Sequence, residues 1–395
     1  MTASGLAHFE SVDQAVAALA PDLPLHCLRP QALSAMAGRF VTGFSGRVVY
    51  AMKCNPHPVV LQSLAAAGVS DFDAASLSEI ARLAQVLPRA RAHFMNPIKP
   101  RRAIATSYRD FGVRTFVLDS HAELAKIVQA TDAAPDLTLI VRLRTAETHS
   151  AWPMSEKFGA TTDEAASLVA PVRQVAARLG VSFHLGSMCR SPGAYVQAAD
   201  AWASILKSAG TQADILDFGG GFPTPYLNEP QPPLADYFAA LNSVAEPSFV
   251  GAERWCEPGR AIAAPGASLV VKVVGRHGRR LYLNDGIYGG LASPGPPPPR
   301  FDLPVRRLRQ APPTLGESDF ALFGPTCDGS DRLSGLFRLP DDTAEGDYLE
   351  IGQHGAYGAC LRSDFNGFLE SLAVTVEEAP FLPPGCDWRD LQGAT

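Results

Sequence analysis

The chain has 395 residues, 46% of them hydrophobic and 19% charged, and a formal net charge of -6. That length accommodates two domains, or one large barrel with an appendage, and the composition is that of an ordinary globular protein. The acidic balance argues against nucleic acid as the main partner, and no apolar run approaches the ~20 residues that span a bilayer.

Residues 1 to 30 show little periodicity. Met1 to Val16 carries Glu10 and Asp13 and no basic cluster. The first strong element, Val48-Val49-Tyr50-Ala51-Met52-Lys53-Cys54-Asn55-Pro56, is an apolar strand closed by a lysine and stopped by a proline. From it onward eight strand candidates recur: Arg47–Lys53, Ser70–Ala75, Arg91–Asn96, Arg114–Asp119, Leu137–Leu143, Val181–Ser187, Ala213–Gly219 and Ala252–Glu257. Most are followed by Ala/Leu-rich helical patterns, such as Pro58–Gly68, closed by its glycine, and Thr162–Leu179. Eight strand-helix units over about 230 residues predict an α/β fold of the TIM (β/α)8 type spanning 31–262. A doubly wound sheet is the alternative, although it seldom keeps so even an alternation.

Past Ala261 the texture changes to short β-rich runs without intervening helices: Ser268–Val274, Arg280–Asn284, Pro304–Arg309, Phe320–Phe323 and Asp347–Ile351. A proline cluster, Pro294-Gly295-Pro296-Pro297-Pro298-Pro299, interrupts them and suits neither helix nor inner strand. Residues 263–395 are therefore expected to form a β domain. The seven cysteines are scattered, without a CxxC pair or a Cys/His cluster, which predicts free thiols in a reducing, cytoplasmic setting and no metal.

Lysine is scarce, at six residues against 28 arginines, and only Lys53 closes an apolar strand. Such a lysine either snorkels outward or is kept for chemistry. TIM barrels place their sites where the strands end. Those ends carry Lys53, Asp73, Asn96, Arg142, His184 with Gly186 and Ser187, the triplet Gly219-Gly220-Gly221, and Glu257-Pro258-Gly259-Arg260. Glycines let backbone N–H groups approach an anion, and Arg260 adds a charged fork, so the last two strands read as a phosphate cradle. Taken alone, the triplet is a bare turn, His184 a satisfied core histidine, Asp73 a strand-end cap and Glu257 an ion-pair partner of Arg260. Taken together they fit pyridoxal phosphate: a lysine for its aldehyde as a Schiff base, a cradle for its phosphate and an acid for its pyridine nitrogen. In the β region, Gly324-Pro325-Thr326-Cys327-Asp328-Gly329-Ser330-Asp331 sets a cysteine in a turn-rich polar loop, either an Asp/Gly turn or a reactive thiol.

On these residues the chain resembles the fold-type III pyridoxal-phosphate decarboxylases, most closely the ornithine/lysine decarboxylase branch. The resemblance is carried in order by Tyr50–Asn55, Phe72–Ser76, Lys157-Phe158-Gly159, Phe183–Ser187, Asp217–Pro223, Glu257–Arg260, Asn284–Gly289, Gly324–Gly329 and Gly355-Ala356-Tyr357. It implies a barrel plus an alanine-racemase-like β domain that residues 1–30 join, a head-to-tail homodimer with shared active sites, and polyamine biosynthesis. By that likeness Lys53 bears the cofactor, Glu257 pairs with the pyridine nitrogen and His184 stacks on the ring. Asp73 and Arg142 line the cofactor, while Ser187, Gly220, Gly221, Gly259, Arg260 and Tyr357 belong to the phosphate end. Cys327, the proton donor, and Asp328, which binds the substrate's distal ammonium, would come from the partner subunit. One departure stands out. Relatives acting on ornithine carry a second acid after Asn-Asp-Gly-Ile-Tyr-Gly, where this chain has Leu291-Ala292-Ser293-Pro294 and the proline cluster. Either Asp302 substitutes for that acid, or the substrate's far end is not a simple ammonium.

Overall fold

The computed structural model describes residues 5–145, 149–152, 156–227, 229–292, 302–308 and 316–393. The proline cluster, Ser293, Arg300 and Arg309 lie outside the described residues.

Eight parallel strands close into a barrel. They are β1 (Arg47–Ala51), β2 (Asp71–Ala74), β3 (Arg91–Phe94), β4 (Thr115–Leu118), β5 (Thr138–Leu143), β6 (Arg178–Phe183), β7 (Ile215–Asp217) and β8 (Glu253–Cys256). Closure comes from β8 pairing with β1, Cys256 opposite Val48. The strands read as nearly continuous apolar runs because both faces are covered. Val49, Met95, Val117, Ile140, Ile215 and Trp255 fill the interior as one cluster, while Tyr50, Phe72, Phe116 and Leu139 join the layer under the helices. A barrel packed this way is a rigid frame, and its strand ends project side chains from fixed points.

Helix starts follow side-chain chemistry. Ser76 and Ser120 accept the backbone N–H groups of Glu79 and Glu123, and Thr161 forms a reciprocal capping box with Glu164. Two expected boundaries move. Strand β1 ends at Ala51, and Met52–Cys54 turns as a short 3-10 segment, so Lys53 stands on a turn above the strand. The helix from Thr162 stops at Val175 instead of Leu179, because Arg178-Leu179-Gly180 pairs with β5. Gly180 permits that close pairing: a β-carbon there would meet Ile140 Cγ1 at 2.6 Å.

The second region is a nine-stranded sheet among the described residues. Its long strand Ala267–His277 pairs antiparallel with Leu25–Leu28, which in turn runs parallel to Leu372–Val376. The weakly patterned N-terminus therefore contributes an inner strand, together with the helix Val12–Leu19 capped by Ser11. Arg29, 1% exposed, ties these pieces by pairing with Glu350 and Glu378 at 3.0 Å each. Among the described residues no helix is long and apolar enough to cross a membrane, and no group of three His, Cys, Asp or Glu residues could hold a metal.

Candidate active site

The C-terminal ends of the strands surround one cleft. It is lined by Lys53, His184, Ser187, Gly220, Gly221, Glu257, Gly259 and Arg260 from the barrel, and by Tyr357 from the β domain. The anchor is Lys53, whose side chain is 39% exposed and whose Nζ lies 2.7 Å from Oδ2 of the buried Asp73 at the end of β2. Burial opposes its charge, but Asp73, Tyr357 and Glu257 more than offset that, so the ammonium's pKa is raised. To act as a nucleophile Lys53 must give up a proton, which its ion pair with Asp73 opposes.

Across the mouth, Glu257 follows β8 and Asp217 ends β7. Asp217 is fully buried: Oδ1 accepts the Gly219 N–H at 2.9 Å, and the carboxyl contacts that of Glu257. Two buried carboxyls side by side resist being charged together. Burial, then the carboxylates Asp217 and Asp73, push Glu257 well above the usual range. Burial likewise lifts Asp217 to about 6. Arg142, on β5, faces the same group of acids and lies over the Phe158 ring at 5.7 Å. Its positive charge and that of Lys53 add to burial in holding His184 well below its ordinary pKa. His184 is thus a neutral ring, and its Nδ1 accepts the Gly186 N–H at 3.0 Å, which leaves the proton on Nε2.

The opposite end is built from backbone that tolerates no β-carbon. One added at Gly220 would lie 3.1 Å from His184 Nε2. At Gly221, with φ +99°, it would lie 2.5 Å from the Gly186 carbonyl oxygen, and at Gly259 3.1 Å from Cys54 Cβ. Into this cradle comes Arg260, 6% exposed. Its Nε donates to Ser187 Oγ at 3.2 Å, its Nη1 donates to Tyr226 Oη at 3.1 Å, and its guanidinium lies 4.7 Å from the Tyr357 ring centre. Tyr357 sits at φ +57°, a conformation most side chains avoid, and donates its N–H to the Cys54 carbonyl at 2.9 Å. A lysine in the middle, a glycine-walled cation at one end and a buried acid pair at the other fit pyridoxal phosphate.

The remaining expected residues stand elsewhere. Cys327 is exposed on the loop after strand Glu317–Phe323, its N–H donating to Asn366 Oδ1 at 3.1 Å. Asp328 accepts the Tyr288 hydroxyl and, at 2.9 Å, the Ser330 N–H; these bonds lower its pKa. Neither belongs to the lining of this chain's cleft. Nor does Asp302, whose backbone carbonyl accepts the Leu227 N–H at 3.0 Å. Three working residues received no role from the sequence. Asp217 was visible only as the first letter of its glycine motif, and Tyr226 lies in an irregular loop. Asp331 holds the Cys327 loop by accepting the Ile287 N–H at 2.9 Å and the Thr326 N–H and hydroxyl at 3.0 and 2.7 Å.

Residues 31–264 match the family profile described as "Pyridoxal-dependent decarboxylase, pyridoxal binding domain". A lysine/ornithine decarboxylase of Selenomonas ruminantium is 30% identical over 345 residues, covering 84% of this chain and 84% of that protein. The ornithine decarboxylase of Mus musculus is 31% identical over 358 residues, covering 81% of this chain and 73% of its own length. Among solved structures, the arginine decarboxylase of Paramecium bursaria Chlorella virus bound to agmatine matches with a TM-score of 0.80 at 27% identity, over 92% of this chain and 99% of that one.

Proposed function

Since the chain belongs to the ornithine/lysine decarboxylase family of pyridoxal-dependent decarboxylases, we propose that it releases carbon dioxide from ornithine, lysine or a related diamino acid. The observation that carries the site assignment is the single cleft joining Lys53, the Glu257 acid and the Arg260 cradle. Pyridoxal phosphate supplies an electron sink for the pair left on the substrate Cα when carbon dioxide departs.

The protein's own residues do the rest. Lys53 would carry the cofactor, and Asp73, 2.7 Å from Nζ, would orient that side chain. With the cofactor bound, the Asp217–Glu257 pair would hold a proton for the ring nitrogen, and a neutral His184 would add no second cation beside it. Ser187, Gly220, Gly221, Gly259, Arg260 and Tyr357 hold the phosphate, and Arg142 balances the acids.

Cys327 Sγ returns the proton to Cα, and Asp328 binds the distal ammonium through a charge-assisted hydrogen bond. Both act from a second copy of the chain. Two facts support that pairing. Cys327 and Asp328 are absent from the cleft of their own chain. Beside their loop, Leu361, Phe365, Phe368, Leu369 and Leu372 are each at least 40% exposed, an apolar surface of the kind a partner covers.

A second reading concerns the substrate. Where relatives acting on ornithine carry a second acid after the Asn284–Gly289 motif, this chain has Leu291-Ala292 and the proline cluster, and that departure is what points to a larger or carboxylate-bearing amino acid. Carbon dioxide release from a panel of ornithine, lysine, arginine and acidic or amide-extended diamino acids distinguishes the readings. Release from a diamine precursor, lost in Lys53→Ala together with the visible absorbance of the cofactor, is the expected result. Release confined to the extended substrates would replace the first reading by the second. A protein that stays colourless with added pyridoxal phosphate would remove Lys53 from its assigned role.

A further inference from the structure

We infer that Tyr226 is a positioning residue of the phosphate subsite, acting through Arg260. The inference deepens the proposed cofactor site and rests on its placement of the phosphate.

The loop after the glycine triplet runs Phe222-Pro223-Thr224-Pro225-Tyr226-Leu227, and it leaves the barrel. Tyr226 is 4% exposed, and its ring belongs to the core cluster of the β domain, with Met188, Leu291 and Leu303. The loop is tied to that domain on both sides of the tyrosine: the Gln353 side chain donates to the Pro225 carbonyl at 3.1 Å, and the Leu227 N–H donates to the Asp302 carbonyl at 3.0 Å. The phenol end reaches back to the barrel, where its oxygen accepts Arg260 Nη1 at 3.1 Å and the guanidinium lies 5.9 Å from the ring centre.

Arg260 is thereby held from two different sides by two neutral hydroxyls, Ser187 on Nε and Tyr226 on Nη1. Neither neutralises its charge, and the planar fork cannot turn without breaking both bonds. An arginine held in one orientation binds an anion without first losing rotamer freedom. Tyr226 is not among the residues that line the cleft, and its bond to the guanidinium is the route by which it acts on the phosphate. The β domain therefore contributes to cofactor binding twice, directly through Tyr357 and at one remove through Tyr226.

A structural tyrosine and a phosphate-positioning tyrosine differ in what they discriminate. Pyridoxal lacks the phosphate but has the same ring and aldehyde. Cofactor-free wild type, Tyr226→Phe and Arg260→Gln are each titrated with pyridoxal phosphate and with pyridoxal, following the absorbance and intrinsic fluorescence of the protein. Phenylalanine keeps the ring in its cluster, and thermal melting of the cofactor-free variant checks the fold. The expected result for Tyr226→Phe is a loss of about tenfold in affinity for pyridoxal phosphate, the size of one hydrogen bond to a charged group, with pyridoxal unchanged. Arg260→Gln should show the same selective loss, and a larger one. Equal weakening toward both ligands would make Tyr226 merely structural and overturn the inference. No change in Tyr226→Phe beside a selective loss in Arg260→Gln would overturn it too, leaving the phosphate site standing. No selective loss in Arg260→Gln would remove the phosphate placement and the inference with it.

Discussion

The site's protons are controlled at the scale of single residues. Lys53 keeps its proton because Asp73, Tyr357 and Glu257 face it, whereas Asp217 and Glu257 keep one because burial and mutual repulsion forbid two charges. The second effect is measurable in the cofactor-free protein. An unfolded aspartate titrates near ~3.9, and folded Asp217 near about 6. The folded state thus binds this proton more tightly. The stabilisation it gives is complete below about pH 4 and is lost as pH rises toward about 6. Asp217→Asn cannot ionise and should gain stability relative to wild type over that window. Melting curves at several pH values check this; a constant difference between the two proteins would contradict the raised pKa of Asp217. Lys53 was legible in the sequence because it closes an apolar run, and Glu257 because it follows the eighth strand beside the Pro-Gly-Arg turn. The pairing of Asp217 with Glu257 was not, since it depends on a contact between carboxyls 40 residues apart.

Among the elements, the barrel strands were legible because burial on both faces writes continuous apolar runs, as in Val48–Ala51 and Leu139–Val141. Their ends were less so. Arg178–Gly180 reads as helix by composition but is claimed by pairing with β5, and the helix Val12–Leu19 is too short for periodicity to show. Asp302 and the Cys327 loop show the same limit, because loop positions follow from tertiary contacts such as Leu227 with Asp302 or Asp331 with Ile287. The glycine triplet carries the clearest element-level prediction. Gly219 sits at φ +66°, and a β-carbon there would lie 2.0 Å from the Phe183 carbonyl oxygen. Gly278 has a similar φ of +62° with nothing within 4 Å. Gly219→Ala should cost roughly 3 kcal/mol or more, combining backbone strain with a collision the barrel cannot relax. Gly278→Ala should cost only about 1 kcal/mol, since strain alone is added. Denaturant unfolding compares them, and equal costs would mean that β6 and β7 yield more easily than their packing implies.

At the scale of the whole molecule, the proposed function divides the work between a rigid barrel that would hold the cofactor and a β domain whose Cys327 loop would meet the substrate. The cleft receives Tyr357 from its own β domain, yet Cys327 and Asp328 stand outside it. The exposed apolar segment around Phe365 and Phe368 adjoins the Cys327 loop, where Asn366 holds the Cys327 N–H. A complete site on this account requires two copies, with Lys53 from one and Cys327 from the other. Mixing Lys53→Ala with Cys327→Ala tests that requirement most directly. Alone, Lys53→Ala should form no amine product, and Cys327→Ala should form it about 100-fold more slowly, the usual weight of one general acid. After dissociation and reassociation at equal amounts, half the pairs are hybrids, and each hybrid has one site with both residues intact. Amine formation should then recover to about one quarter of wild type. A mixture no more active than the average of its two parents, under conditions where hybrids form, would place Lys53 and Cys327 in the same chain's site and contradict the account.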